Sequence, residues 1–211
     1  MDKERRYFVL RRLHSLSGIC PVGAFVLEHF YTNSYSVKGA EMFNEKVAAL
    51  NDLPYLYLLE IGLIGIPILF HAVLGVVITF EGSAKLRAYP TARNWFYVLQ
   101  RVTGMFLVVF IAVHVTLTRF SGTPPDRMFE HMASYLSNPL MFAFYALGVL
   151  SVSFHFGNGV WGFLVTWGVL TSPRSQRIMT WASMGIVATL SFVGINSLLG
   201  FLDLSLGFLQ R

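Results

Sequence analysis

Five stretches of this chain, roughly residues 13–32, 55–80, 95–118, 139–170 and 178–202, stay apolar for about the ~20 residues that a helix needs to cross a bilayer. None of them alternates with period two, which is what a membrane-spanning strand of a barrel requires. With 55% hydrophobic and 13% charged residues, the chain lacks the polar surface of a water-soluble domain of this size. The expected fold is therefore all-α and transmembrane, a five-helix bundle forming a single membrane domain over residues 1–211. The first run follows a basic cluster and continues to full spanning length, unlike a cleaved signal peptide, so its helix is expected to stay in the mature chain. Cys20 is the sole cysteine, which excludes an internal disulfide, a thiolate metal cluster and covalent haem attachment.

The net charge of +5 does not point to nucleic acid, because the basic residues lie beside apolar spans, where they set topology. Lys3, Arg5, Arg6, Arg11, Arg12, Lys85, Arg87, Arg93, Arg101, Arg174 and Arg177 fall on one side; Lys38, Lys46, Arg119, Arg127 and Arg211 fall on the other. The excess places the N-terminus in the cytoplasm, and five crossings then place the C-terminus outside. The two outer connections, around 33–54 and 119–139, are long enough to hold short interfacial helices.

A faint internal repeat runs through the spans. HSLSG in the first helix is followed by His29, and QRVTG in the third by His114; the second and fourth carry HAVLG and HFGNG. Thus His29, His71, His114 and His155 are distributed one to each of the first four spans. Ionisable residues inside a bilayer are costly and mark function. Counting helix rise inward from Asn33, Pro54, Arg119 and Pro139 puts His29 and His114 about 6 to 8 Å below the outer boundary, and His71 and His155 about 24 to 26 Å below it. In an up-down bundle, helices one and three face each other diagonally, as do two and four.

Two imidazoles opposed across an apolar bundle suit a flat ligand whose metal takes one nitrogen from each side, and haem is such a ligand. Gly75 and Gly159, one turn beyond their histidines, are expected to leave room for a macrocycle edge. Both axial positions would be filled, so such a haem passes electrons instead of binding oxygen. A single zinc site would need all four histidines at one level, whereas these are split by roughly 15 Å or more. A proton relay would favour interspersed carboxylates, and Glu28 and Glu60 are the only acids within the spans.

RRLHSLSGICPVGAFVLEH, NSYSVKGAEMFNEKVAALNDLPYLYLLEI, IPILFHAVLGV, RNWFYVLQRVTG and FHFGNGVWGFLVTWGVLTSPRSQR together resemble the cytochrome b subunits of di-haem succinate:menaquinone oxidoreductases (succinate dehydrogenases) of Bacillus-type bacteria. The resemblance covers nearly the whole chain. It implies a multi-pass subunit of the bacterial cytoplasmic membrane, whose first four helices sandwich two haem b groups. His71 and His155 would ligate the inner iron, and His29 and His114 the outer one. It further implies a flavoprotein carrying FAD and an iron–sulfur subunit as partners on the cytoplasmic face, where succinate is oxidised. Electrons would pass through the two haems to menaquinone near the outer face. That transfer is unfavourable by itself, and moving a charge across 100 mV, worth about 2.3 kcal/mol, would help to drive it.

Around this frame, Glu60 near the outer end of the second helix is a candidate for proton transfer to the quinone, and Glu28 a weaker one. In the related di-haem fumarate reductases a glutamate two residues before the fourth-helix histidine serves a proton path; here that position is Ser153. Arg12, His14, Ser15, Arg101 and Trp167, at the inner ends of their helices, are candidates for contact with inner-haem propionates. Two other functions remain open from the residues: the cytochrome b subunit of a formate dehydrogenase or hydrogenase, and a haem-free proton or metal transporter.

Overall fold

The computed structural model describes residues 2–83, 86–88 and 90–206, so Lys85 and the C-terminal Arg211 of the charge pattern lie outside the described residues. Among those described, every regular element is helical. Helices α1 (Lys3–Ile19) and α2 (Pro21–Ser34) lead through a 3-10 turn at Tyr35–Lys38 to α3 (Ala40–Asn51). Then α4 (Leu56–Leu59), a π-helical stretch Glu60–Gly65 and α5 (Ile66–Glu81) make one rod. After α6 (Ala92–Leu117) and a 3-10 turn at Pro125–Arg127 come the short α7 (Met128–Leu136) and the long α8 (Pro139–Thr166) and α9 (Pro173–Gly200).

Among the described residues four rods, Leu56–Glu81, Ala92–Leu117, Pro139–Thr166 and Pro173–Gly200, are long and apolar enough to cross a membrane. The first apolar run differs from the single helix expected over 13–32. Its helix starts ten residues earlier, at Lys3, where the Asp2 carboxylate accepts from the Arg5 amide at 2.7 Å and caps the first turn. It is then interrupted at Cys20, leaving pieces of 17 and 14 residues. Pro21 is the cause, since it has no N–H to donate to the preceding turn. Cys20 nevertheless keeps right-handed helical angles and bridges the break through its own amide, bonded to Leu16 O at 2.8 Å.

The other ends follow local chemistry. Asn138 caps α8 by accepting from the amides of Leu140 and Met141, with Pro139 at the first helical position. α8 stops at Thr166 instead of continuing to 170, because Gly168 takes φ 74° and turns the chain back on the helix end. Ser172 and Ser175 form a reciprocal capping box at the start of α9.

α1 packs on α5 and α8, and α6 packs on α5 and α8, which closes a ring of four rods in which the first lies diagonal to the third and the second to the fourth. α9 stands outside that ring against α8 and α2. Small residues permit its close approach: a Cβ added at Gly157 would lie 2.9 Å from the Ser183 carbonyl oxygen, and Ser183 itself is fully buried. The two connections expected on the outer side hold helices, α3 and α7, and there the best-buried apolar cluster forms from Phe43, Met132, Leu136, Tyr145, Leu198 and Phe201. Along the rods large apolar side chains such as Leu69, Val73, Val109 and Trp181 face outward, as they do where the solvent is lipid.

Candidate functional site

The ring geometry brings the four intramembrane histidines together as two pairs. His71 of α5 and His155 of α8 have ring centroids 6.1 Å apart at an interplanar angle of 83°. His29 of α2 and His114 of α6 are 5.7 Å apart at 79°. Each pair crosses a diagonal of the bundle. Among the described residues no three His, Cys, Asp or Glu side chains converge on one point, so these two-nitrogen arrangements are what the bundle offers a metal.

The inner pair is held by a duplicated device. His71 Nδ1 lies 2.9 Å from the His14 carbonyl oxygen, and His155 Nδ1 lies 3.1 Å from that of Gln100. A carbonyl only accepts, so in each ring Nδ1 carries the proton and donates, leaving the Nε2 lone pair free. Four residues after each carbonyl stands a glycine. A Cβ at Gly18 would come within 2.9 Å of His71 Nδ1, and one at Gly104 within 2.9 Å of His155 Cε1. The hydroxyls of Ser17 and Thr103 sit 3.4 Å from the same two Nδ1 atoms. The HSLSG and QRVTG motifs are thus two copies of one cradle, each presenting a backbone acceptor, a hydroxyl and a gap to an imidazole from the neighbouring rod.

Gly75 and Gly159 complete the symmetry in a way the sequence reading did not anticipate. They face protein side chains instead of an open space: a Cβ at Gly75 would lie 3.1 Å from His14 Nε2, and one at Gly159 would lie 3.7 Å from Gln100 Nε2. The His14 ring stacks on His71 at 4.1 Å and 10°. At the outer pair, His114 is flanked by Phe110, stacked at 5.7 Å, and its Nδ1 lies 3.4 Å from the Tyr145 hydroxyl. His29 is flanked by Phe25 at 5.4 Å.

These residues fit a bis-imidazole iron. With a metal–nitrogen distance of about 2 Å on each side, opposed ring centroids are separated by roughly 6 Å, close to both observed spacings. Fixing Nδ1 on a backbone carbonyl is also what orients metal-ligating imidazoles in general. Toward the inner end, His14 Nε2, Arg93 Nε and Nη1, and Arg101 Nε are buried donors or acceptors without a partner, suited to anionic groups on a ligand's edge.

The residues expected beside inner-haem propionates fall into three places. Arg12, Ser15 and Trp167 are together: Trp167 Nε1 donates to Ser15 Oγ at 3.1 Å, and the Arg12 guanidinium lies 5.0 Å from the indole. His14 is at the inner pair. Arg101 is separate, over the Tyr97 ring at 3.5 Å. Sequence reasoning passed over Arg93 as a site residue, counting it only as topological charge; its nearest signals, Asn158 and Trp161, are far away in the chain. Glu60, in the π-helical stretch, is engaged by Arg119, whose Nε and Nη2 donate to its two carboxylate oxygens at 2.9 Å each. Those bonds hold the guanidinium above its ordinary pKa. The Glu28 carboxylate accepts from the Thr32 hydroxyl at 2.6 Å, and Ser153 Oγ is turned into its own helix, onto Val149 O. His131, in α7, donates from Nε2 to the Leu117 carbonyl at 2.8 Å and ties α7 to the end of α6.

Fold and site define a helical membrane protein with imidazole pairs bridging its bundle at two places. Residues 81–194 match the model of the succinate dehydrogenase/fumarate reductase transmembrane subunit, and the chain belongs to that family. It is 45% identical over 197 residues to the succinate dehydrogenase cytochrome b558 subunit of Bacillus subtilis, which covers 93% of this chain and 98% of that one. A succinate dehydrogenase hydrophobic membrane anchor subunit of Thermoplasma acidophilum is 33% identical over 61 residues, 29% of this chain and 50% of that one.

Proposed function

We propose that this chain is the cytochrome b membrane anchor of a succinate dehydrogenase, crossing the bacterial cytoplasmic membrane five times with its N-terminus in the cytoplasm. Two b haems, one per histidine pair, supply one-electron transfer between an iron–sulfur subunit and menaquinone near the outer face. The observation that carries this reading is the crosswise pairing of His71 with His155 and of His29 with His114, at 6.1 and 5.7 Å. The chain's own part is to hold the four imidazoles. His14 O and Gln100 O fix the inner tautomers, and the apolar bundle keeps water away from the pairs. Arg12, His14, Ser15, Arg101 and Trp167 supply cations and donors at the cytoplasmic end for propionates. Succinate oxidation belongs to the flavoprotein, which carries FAD and docks with the iron–sulfur subunit on that face. Glu60, in a π-helical stretch that packs on α2, the helix that carries His29, supplies a carboxylate for protons going to the quinone.

The test is a redox titration of the purified complex. Two low-spin haem components of different potential are expected. Replacing His71 or His155 removes one component, and replacing His29 or His114 removes the other; loss of both or neither in every variant overturns the pairing. Co-purifying flavin and succinate activity separate this reading from a formate dehydrogenase or hydrogenase subunit, and haem absorbance separates it from a transporter.

A further inference from the structure

Arg93 stands in the first turn of α6, with its guanidinium 3.8 Å from the centre of the Trp161 indole and 4.8 Å from that of Phe96. Two aromatic faces hold the planar cation and strip water from it. Only one of its three nitrogens is bonded: Nη2 donates to Asn158 Oδ1 at 2.8 Å. Nε and Nη1 are buried without any partner. Unmet buried donors on a cation are costly, and Nε and Nη1 lie on different sides of the guanidinium, so each is open to its own acceptor; a carboxylate oxygen is the acceptor that a cation's N–H binds most strongly.

The bonded nitrogen leads inward. Asn158 Nδ2 donates to Gln100 Oε1 at 2.7 Å, and Gln100 Nε2 donates to the His155 carbonyl at 3.0 Å. The Gln100 carbonyl in turn receives His155 Nδ1. Asn158 and Gln100 therefore use their amides at both ends, and a continuous set of hydrogen bonds joins the cation to the backbone and ring of one inner imidazole. In the other cradle His14 takes the place of Gln100, with its ring stacked on His71 and no such connection.

We propose that Arg93 is a carboxylate-binding residue, one of its open sides closed in the assembled complex by a carboxylate that accepts from Nε or Nη1, and that Asn158 and Gln100 are positioning residues that transmit its placement to His155. This rests on the haem-bearing reading above. The carboxylate has two sources of the same chemistry: a propionate of the group held by His71 and His155, or an acidic side chain of the subunit docked on the cytoplasmic face.

The experiment uses the whole membrane complex with Arg93→Gln, Arg93→Lys and Asn158→Ala, reading the midpoint potentials of both haem components and the salt concentration that releases the partner subunits. If a propionate closes that side, Arg93→Gln lowers the inner component's potential, because a neighbouring cation no longer favours the added electron. Arg93→Lys then restores most of it, Asn158→Ala gives a smaller fall in the same direction, and the outer component and the release point stay put. If a partner's acid closes it, the potentials hold while Arg93→Gln releases the partners at lower salt. Unchanged potentials together with an unchanged release point overturn the proposal. Should Arg93→Gln not assemble, Arg93→Lys and Asn158→Ala decide it: an assembled Asn158→Ala complex with both readouts unchanged overturns it. A wild-type complex lacking two haem components would instead overturn the functional reading itself.

Discussion

A methyl group is a sensitive probe of the inner cradle. At Gly18 and Gly104 an added Cβ meets an imidazole ring that is hydrogen-bonded to a carbonyl of that same helix, so neither ring can retreat from the helix without losing its carbonyl. Overpacking of this kind costs about 1–3 kcal/mol, and it acts on ligand orientation before it acts on the bundle. Gly18→Ala and Gly104→Ala are each expected to weaken or abolish the inner haem component in optical spectra while the outer component persists; equal loss of both would mean a general packing defect. Gly185, by contrast, has open space around its Cβ position, and Gly185→Ala is expected to leave both spectra unchanged. The Glu60–Arg119 pair belongs to a different regime. Its side chains are 31% and 43% exposed, and ion pairs in such positions contribute about 0–1 kcal/mol. Arg119→Gln should therefore lower the thermal stability of the purified complex only slightly, by under about 1 kcal/mol, and the difference should shrink in high salt. At this scale the sequence was legible where a residue type is rare in its setting. Four histidines stand out in apolar runs, and the bundle brings their rings together in pairs, whereas Arg93 looked like an ordinary boundary cation because its partners are Asn158 and Trp161, which reach it only across the bundle.

Elements are where the chain's punctuation acts. Pro21 divides the first rod into α1, which carries the cradle residues His14, Ser17 and Gly18, and α2, which carries His29. One rod must serve two places in the bundle, and the missing hydrogen bond at the proline lets its halves take separate angles. Pro21→Ala should restore that bond and couple the halves. Because α1 is fastened to His71 while α2 packs against α9, the strain is expected at the outer pair, as a shift in the spectrum or potential of the His29–His114 component with the inner one unchanged. An effect confined to the inner component would sink this account. The proline was visible in GICPVG, but an apolar run gives no sign of whether a helix bends at such a residue or stops there. The π-helical stretch Glu60–Gly65 was not legible either, since one widened turn leaves the apolar pattern of the run intact. The ends of α8 and α9, in contrast, follow from Asn138–Pro139, Gly168 and the Ser172/Ser175 box, all local signals.

For the molecule as a whole, the decisive question is which way the two histidine pairs face. Basic residues gather at the end of the bundle where α1 begins and where α5 hands over to α6 and α8 to α9, whereas α3 and α7 cover the opposite end. Charge bias of this kind sets orientation during insertion, so Ser172, between α8 and α9, should face the cytoplasm, and Ser121, between α6 and α7, should face outward. The expectation is checked in intact cells with single-cysteine variants, after Cys20→Ser removes the native thiol. A membrane-impermeant thiol reagent should label Ser121→Cys directly and Ser172→Cys only once the membrane is opened. In the proposed function, the same orientation would direct the His71–His155 pair toward the cytoplasmic side and the His29–His114 pair toward the outer face, as the proposed use of the membrane potential requires. The reverse labelling pattern would put Arg93 and its open donors on the side where no partner subunit docks, and the proposed function would fall together with the proposed carboxylate site.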